Sequence, residues 1–215
     1  MTARSPIGSA VATQRGDDGT TGLLFGGPRV RKDDPRTEAY GTVDEAVAAL
    51  GIARAKAGPA GSPVRLLGEA GDLAELLLRL QRELFVVGAE LATTSEARAT
   101  PEDGRTRVSE AMVDGLETLL LDLERRIEMP REFVVPGETE LSADLELART
   151  VVRRAERRAV ALRGHGLLTG EHLVPYLNRL SDLVWVLARA AEQAESRSAT
   201  PARKPAAGAR REHAP

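Results

Sequence analysis

Cysteine is absent from all 215 residues, which excludes disulfides and thiolate metal sites and suits a reducing compartment. Aromatic side chains make up only 3%, so the core must be aliphatic and each ring carries more weight than usual. No run of about 18 apolar residues is present to cross a membrane, and the opening residues lack the apolar centre of a secretory signal. Neither sign of charge dominates: 30 Lys and Arg face 32 Asp and Glu, for a net charge of -2. Nothing in the whole-chain field therefore draws the protein to nucleic acid or to an anionic membrane, and any anion site must be local. What remains is the expectation of a cytoplasmic protein, long enough for one domain with a substantial core.

Alanine, leucine, glutamate and arginine, which lower the cost of a helix, are abundant instead. Five helical segments are expected. The first opens at "GTVDEAVAALGIARAKA", where Thr42 and Glu45 have the spacing of a capping box, and stops at "GPAGSP". The second runs from Val64 to Leu91 and the third from Val108 to Glu128, ahead of Pro130. The fourth starts after Ser142 as N-cap and ends near Arg163 and Gly164. The fifth spans His172 to Glu195, with Pro175 tolerable in its first turn. The fold class is thus all-α, a five-helix bundle preceded by an irregular segment, with strand pieces only near Leu23 and Phe133. Residues 1–12 read as a loose tail, 13–195 as the bundle domain, and 196–215 as a disordered basic tail. A solubilising role for that tail is favoured over contact with an anionic partner.

Near the start, "QRGDDGTTGLLFGG" matches neither the P-loop nor the dinucleotide-binding glycine pattern, and no βαβ rhythm surrounds it. By itself it reads equally as a turn-rich lead-in or as backbone shaped around an anion. In the fourth helix Leu145, Ala148, Val152, Ala155, Ala159 and Leu162 form one buried stripe, with Arg149, Arg153 and Glu156 on its flank. Like charges at Arg149 and Arg153 cost a helix about 0.2–0.5 kcal/mol, so an anionic group should compensate. From spacing alone a salt-bridged exposed face, with Glu156 compensating, is the commoner explanation, and Arg154, Arg157 and Arg158 point further out. In the fifth helix Tyr176, Leu180, Leu183, Leu187 and Ala190 form the seam, leaving Asn178, Asp182 and Trp185 on another face. An amide there is more often a satisfied boundary group than a ligand contact. His165, His172 and His213 have no ligand-like spacing.

"TQRGDDGTTGLLFGGPRVRKDDPRTEAYGTVDE", "FVVPG", "ARTVVRRAERR" and "YLNRLSDLVWVLAR", in this order and at these separations, resemble the PduO-type ATP:cob(I)alamin adenosyltransferases. The resemblance covers Thr13 to Ala190 and rests on four linked motifs. It implies a homotrimer of five-helix bundles that moves the 5′-deoxyadenosyl group of ATP onto cob(I)alamin, with Mg²⁺, and releases triphosphate. It implies that ATP is held between subunits by the loop, through Thr13, Gly16, Asp17, Gly19, Thr20 and Thr21, and by Lys32. Arg153 matches the catalytic arginine, with Glu156 and Asn178 beside it in the ATP site. Asp44 and Arg149 match a pair formed across the subunit interface near the corrin, and Phe133 an aromatic that excludes the lower axial ligand. A flavin reductase and an adenosylcobalamin-dependent mutase are the partners such an enzyme implies.

One position departs from that pattern: Gln14 stands where the family has a lysine, so Arg15 has to supply the phosphate contact or ATP binds more weakly. A trimer that carries or senses ATP or cobalamin without turnover is the competing expectation. A purely structural bundle explains the helices but not the linked motifs.

Overall fold

The computed structural model describes residues 8–58, 72–94, 97 and 101–203. Five helices order it: α1 Pro35–Ala57, α2 Leu73–Leu91, α3 Glu110–Glu124, α4 Glu140–Gly164 and α5 Leu173–Ala194. Two short antiparallel pairs accompany them, β1 Thr20–Gly22 with β2 Arg29–Arg31, and β3 Val134–Val135 with β4 Thr200–Pro201.

Local chemistry sets the helix starts, in places other than the pattern suggests. The Asp34 carboxylate accepts from Arg36 N at 2.8 Å and Pro35 occupies the first turn, so α1 begins ahead of the expected Thr42 box. Thr42 lies inside the helix, its hydroxyl donating to Glu38 O at 2.7 Å, while Glu45 turns outward to Arg154. Asp72 caps α2 through Ala74 N at 2.7 Å, and the stretch from Val64 to Gly71 lies outside the described residues. In α4 the cap is Thr139 rather than Ser142. Each hydroxyl accepts from the other residue's backbone N–H at 3.1 Å, so Ser142 is the third helical residue of the box. α3 stops at Glu124, short of the expected Glu128, whose backbone pairs with the Gln193 amide instead.

α4 packs between α1 and α5, α2 covers the other side of α1, and α3 lies on α5. The whole α4 stripe from Leu145 to Leu162 is fully buried, as is the α5 seam from Tyr176 to Leu187. Ion pairs mark the antiparallel register of α1 and α4: Lys56 with Glu140 at 2.7 Å and Asp144 at 3.3 Å, Glu45 with Arg154, and Glu38 with Arg158 at 3.1 Å. Exposed pairs of this kind contribute about 0–1 kcal/mol each, so the apolar stripe supplies the stability and the charges the alignment.

Two buried charges staple one end of the bundle. The Arg36 guanidinium donates to Leu91 O at 3.0 Å, to Thr93 O at 3.2 Å and to Leu167 O. Glu90 accepts from Val108 N at 2.7 Å, and burial pushes its carboxyl above the usual range. Gly170 lies so close that a Cβ there would sit 1.8 Å from Glu90 Oε1. Gly170→Ala is therefore expected to displace this carboxylate and destabilise the fold by about 2 kcal/mol, read by denaturant melts. An unchanged midpoint would show that the loop yields instead.

Residues 204–215 and 1–7 of the expected tails lie outside the described residues. Residues 196–203 of the expected C-terminal tail are exposed except for the half-buried Ala199, but make defined backbone contacts. Arg197 N returns to Glu192 O at 2.9 Å with Ser196 at φ 56, turning the chain back so that β4 pairs with β3. Backbone pairing of this sort leaves no apolar period in the sequence to announce it.

Candidate active site

The N-terminal loop is organised by its own side chains. Asp18 Oδ1 accepts from Thr20 N at 2.9 Å and from the Thr20 hydroxyl at 2.8 Å, and these bonds hold the Asp18 carboxyl below its usual range. Arg29 grips the same hydroxyl through Nε and Nη2, at 3.0 and 2.6 Å, and donates to Arg15 O at 2.6 Å. The Thr20 hydroxyl is thus committed within the loop, whereas the side chains of Thr13, Asp17 and Thr21 have no partner among the described residues. Gly19, at φ 80, turns its carbonyl to accept from Lys32 N at 2.9 Å. Lys32 lies across Gly16: a Cβ added there would come within 3.0 Å of Nζ. No carboxylate pairs with Lys32 among the described residues, so its ammonium stands over the loop as an unneutralised cation. Gly16→Ala is expected to push the lysine aside and raise KM for ATP roughly tenfold with kcat little changed. An unaltered KM would remove Lys32 from nucleotide binding.

On α4 and α5, Asn178 Nδ2 donates to Glu156 Oε1 at 3.2 Å, so each fixes the other. Glu156 consequently does not neutralise the arginine pair as its spacing suggests. Glu146, buried one turn before Arg149, accepts from Arg149 Nε at 2.6 Å instead. Arg153 is exposed and has no partner among the described residues, and Asp44 on α1 is in the same condition. The expected Asp44–Arg149 pair is not made within one chain.

A cavity of about 530 Å³ is lined by Phe133, Val134, Pro136, Glu146, Arg149 and Trp185 among others. Behind it Arg189, fully buried, bridges Glu146 at 3.2 Å and Glu192 at 2.8 Å, with its guanidinium carbon 5.4 Å from the Trp185 ring centre. Burial, more than any neighbour, pushes the Glu192 carboxyl up. The Phe133 ring is 90% exposed at the cavity mouth. Sequence reasoning missed Asp18, Arg29, Glu146, Arg189 and Glu192. Glu146 and the Arg189–Glu192 pair carried the same usable signal, an i, i+3 spacing of opposite charges.

The loop and the cavity lie at opposite ends of the bundle. Leu24 N bonds Ala92 O at 3.0 Å at the start of α1, where Glu38 faces Arg158. The α4 stretch from Arg158 back to Glu146 at the cavity covers about 18 Å. Among the described residues no three His, Asp or Glu side chains stand together as metal ligands, and no helix is long and apolar enough to cross a membrane.

A five-helix bundle with an arginine-bearing fourth helix, a glycine-threonine loop at one end and an aromatic-rimmed cavity at the other defines the class of protein. The model of the family described as cobalamin adenosyltransferase matches residues 11–191, and the chain belongs to that family. It is 38% identical to the corrinoid adenosyltransferase of Citrobacter freundii over 85% of this chain and 94% of that one. It is 40% identical to the corrinoid adenosyltransferase PduO of Salmonella typhimurium over 84% of this chain but 49% of the relative, and so spans about half of that longer protein. Among solved structures it is similar to variants of the PduO-type adenosyltransferase from Lactobacillus reuteri. One, with a phenylalanine replaced by alanine, is complexed with cobalamin and ATP. It is 29% identical at a TM-score of 0.77, covering 90% of this chain and 99% of that one. Another, with an arginine replaced by lysine and complexed with ATP, gives 29% and 0.75 over the same shares.

Proposed function

We propose that the protein transfers the 5′-deoxyadenosyl group of ATP to the cobalt of cob(I)alamin, at sites completed between the subunits of a homotrimer. The observation that carries this reading is the split geometry: a glycine-threonine loop with the unneutralised Lys32 over it at one end, an aromatic-rimmed cavity at the other, and Asp44 and Arg153 exposed with no partner among the described residues. A neighbouring subunit that sets one end beside the other would bring Asp44 to Arg149 and the loop to Arg153, Glu156 and Asn178. Family membership and the ligands named for the Lactobacillus reuteri structures support the substrates. The phenylalanine and arginine altered in those two variants are as far apart in sequence as Phe133 and Arg153.

The chemistry asks little of acid or base. Cobalt supplies both electrons of the new Co–C5′ bond, and the C5′–O bond breaks with its pair leaving on triphosphate, so no proton has to move. The protein must align cobalt with C5′ and support the leaving charge. Arg153 offers a planar fork for phosphate oxygens and Lys32 a point charge, while Thr13 and Thr21 offer hydroxyls that have no partner among the described residues. Glu156 and Asn178 hold each other in place beside Arg153. Mg²⁺ arrives on the triphosphate as part of the substrate. Phe133 presents a ring with no lone pair to the lower face of the corrin, which favours the four-coordinate cobalt that is easier to reduce. A flavin reductase would supply the electron and an adenosylcobalamin-dependent mutase would take the product, all in the cytoplasm.

Anaerobic absorbance with prereduced cob(I)alamin, ATP and Mg²⁺ tests the reading. Light-sensitive adenosylcobalamin and released triphosphate are expected in equal amounts. Binding of both substrates without either product would instead make the protein a carrier or sensor.

A further inference from the structure

The segment from Glu128 to Val135, which carries Phe133, is tied down at both ends by residues near or beyond the end of α5. At the first end the Gln193 amide pairs with one peptide unit, accepting from Glu128 N at 2.9 Å and donating to Glu128 O at 2.7 Å. At the other, β4 pairs with β3, Val134 opposite Pro201 and Val135 opposite Thr200, and Ala202 N donates to Phe133 O at 2.7 Å. That last bond is made to the residue whose ring rims the cavity. With the ring 90% exposed, side-chain packing within the chain does not set where it stands, so the backbone must. We propose that Gln193 and the strand around Ala202 form a positioning strap that fixes Phe133 at the cavity mouth. Because the strap continues α5, which also carries Trp185 and Arg189, it keeps the ring in register with the cavity wall.

The proposal rests on the reading of Phe133 as the group that keeps a lower ligand off cobalt. A ring displaced by about 1 Å leaves room for that ligand, and misplacements of that size cost up to about a hundredfold in rate. The step affected is the reduction of cob(II)alamin. Cob(I)alamin, already reduced, should be consumed almost normally.

Ala202→Pro in the full chain removes the donated N–H, Ala202→Ser keeps it, and Gln193→Leu removes the other tie. The readouts are the fraction of bound cob(II)alamin lacking the axial nitrogen, seen in the presence of ATP as loss of its splitting in electron paramagnetic resonance, and turnover from cob(II)alamin against turnover from cob(I)alamin. Ala202→Pro and Gln193→Leu are expected to lower the ligand-free fraction and to slow the cob(II)alamin reaction roughly tenfold more than the cob(I)alamin reaction, with Ala202→Ser matching the parent. A wild-type fraction in both strap variants, beside a Phe133→Ala protein that has lost it, would overturn the strap alone. Equal losses with both substrates would overturn it too, since general loosening acts that way. Should Phe133→Ala itself retain the ligand-free fraction, the reading of Phe133 fails and the strap falls with it.

Discussion

Alanine at Arg153 is expected to lower kcat for adenosyl transfer by roughly a hundredfold to a thousandfold, the scale on which removing one transition-state donor acts. Folding of the subunit should be untouched, because the side chain is exposed and has no partner among the described residues. Surface changes of that kind stay within about 0.5 kcal/mol. Steady-state rates with prereduced cob(I)alamin, set beside thermal melts and sedimentation, separate the two effects. Lysine at the same position should recover only part of the rate, since a point charge replaces a fork that can hold two phosphate oxygens. Near-normal turnover in the alanine variant would remove Arg153 from the chemistry.

A second large effect is expected at Phe133. Its ring contributes little to stability at 90% exposure, so Phe133→Ala should melt like the parent. Turnover from cob(II)alamin with a reductase should fall about a hundredfold, and turnover from cob(I)alamin about tenfold or less, because only the first needs the lower ligand removed. Parallel assays with the two oxidation states decide it. Losses of equal size would mean that the ring positions the corrin without controlling its coordination.

Much of the bundle was legible because helices advertise themselves. The α4 stripe and the α5 seam were readable to the residue, since burial follows a fixed period whatever the helix packs against. The starts were not, because several residue types can cap and the sequence does not say which hydroxyl or carboxylate wins. Thr42 and Ser142 both looked like caps, yet Asp34 and Thr139 do the capping. In the candidate site the motifs singled out Arg149, Arg153 and Asn178, but not what holds them. Glu146, Arg189 and Glu192 read as ordinary charged residues of amphipathic helices, and only the packing shows that they form a buried chain behind the cavity. The return of residues 200–202 to Phe133 was invisible for a similar reason: a short backbone pairing has no composition of its own.

The Arg36 staple has a bearing on how the protein comes into being. Its partners at Leu91 and Leu167 stand 55 and 131 residues away, and it anchors the start of the helix that follows the glycine-threonine loop. Contacts that span so much of the chain are satisfied late, after the entropy of closing a long segment has been overcome. The guanidinium cannot reach its last acceptor until α4 and the turn after it have been synthesised. The start of α1 is therefore locked in full only once the chain extends to Leu167, long after α1 and α2 can meet.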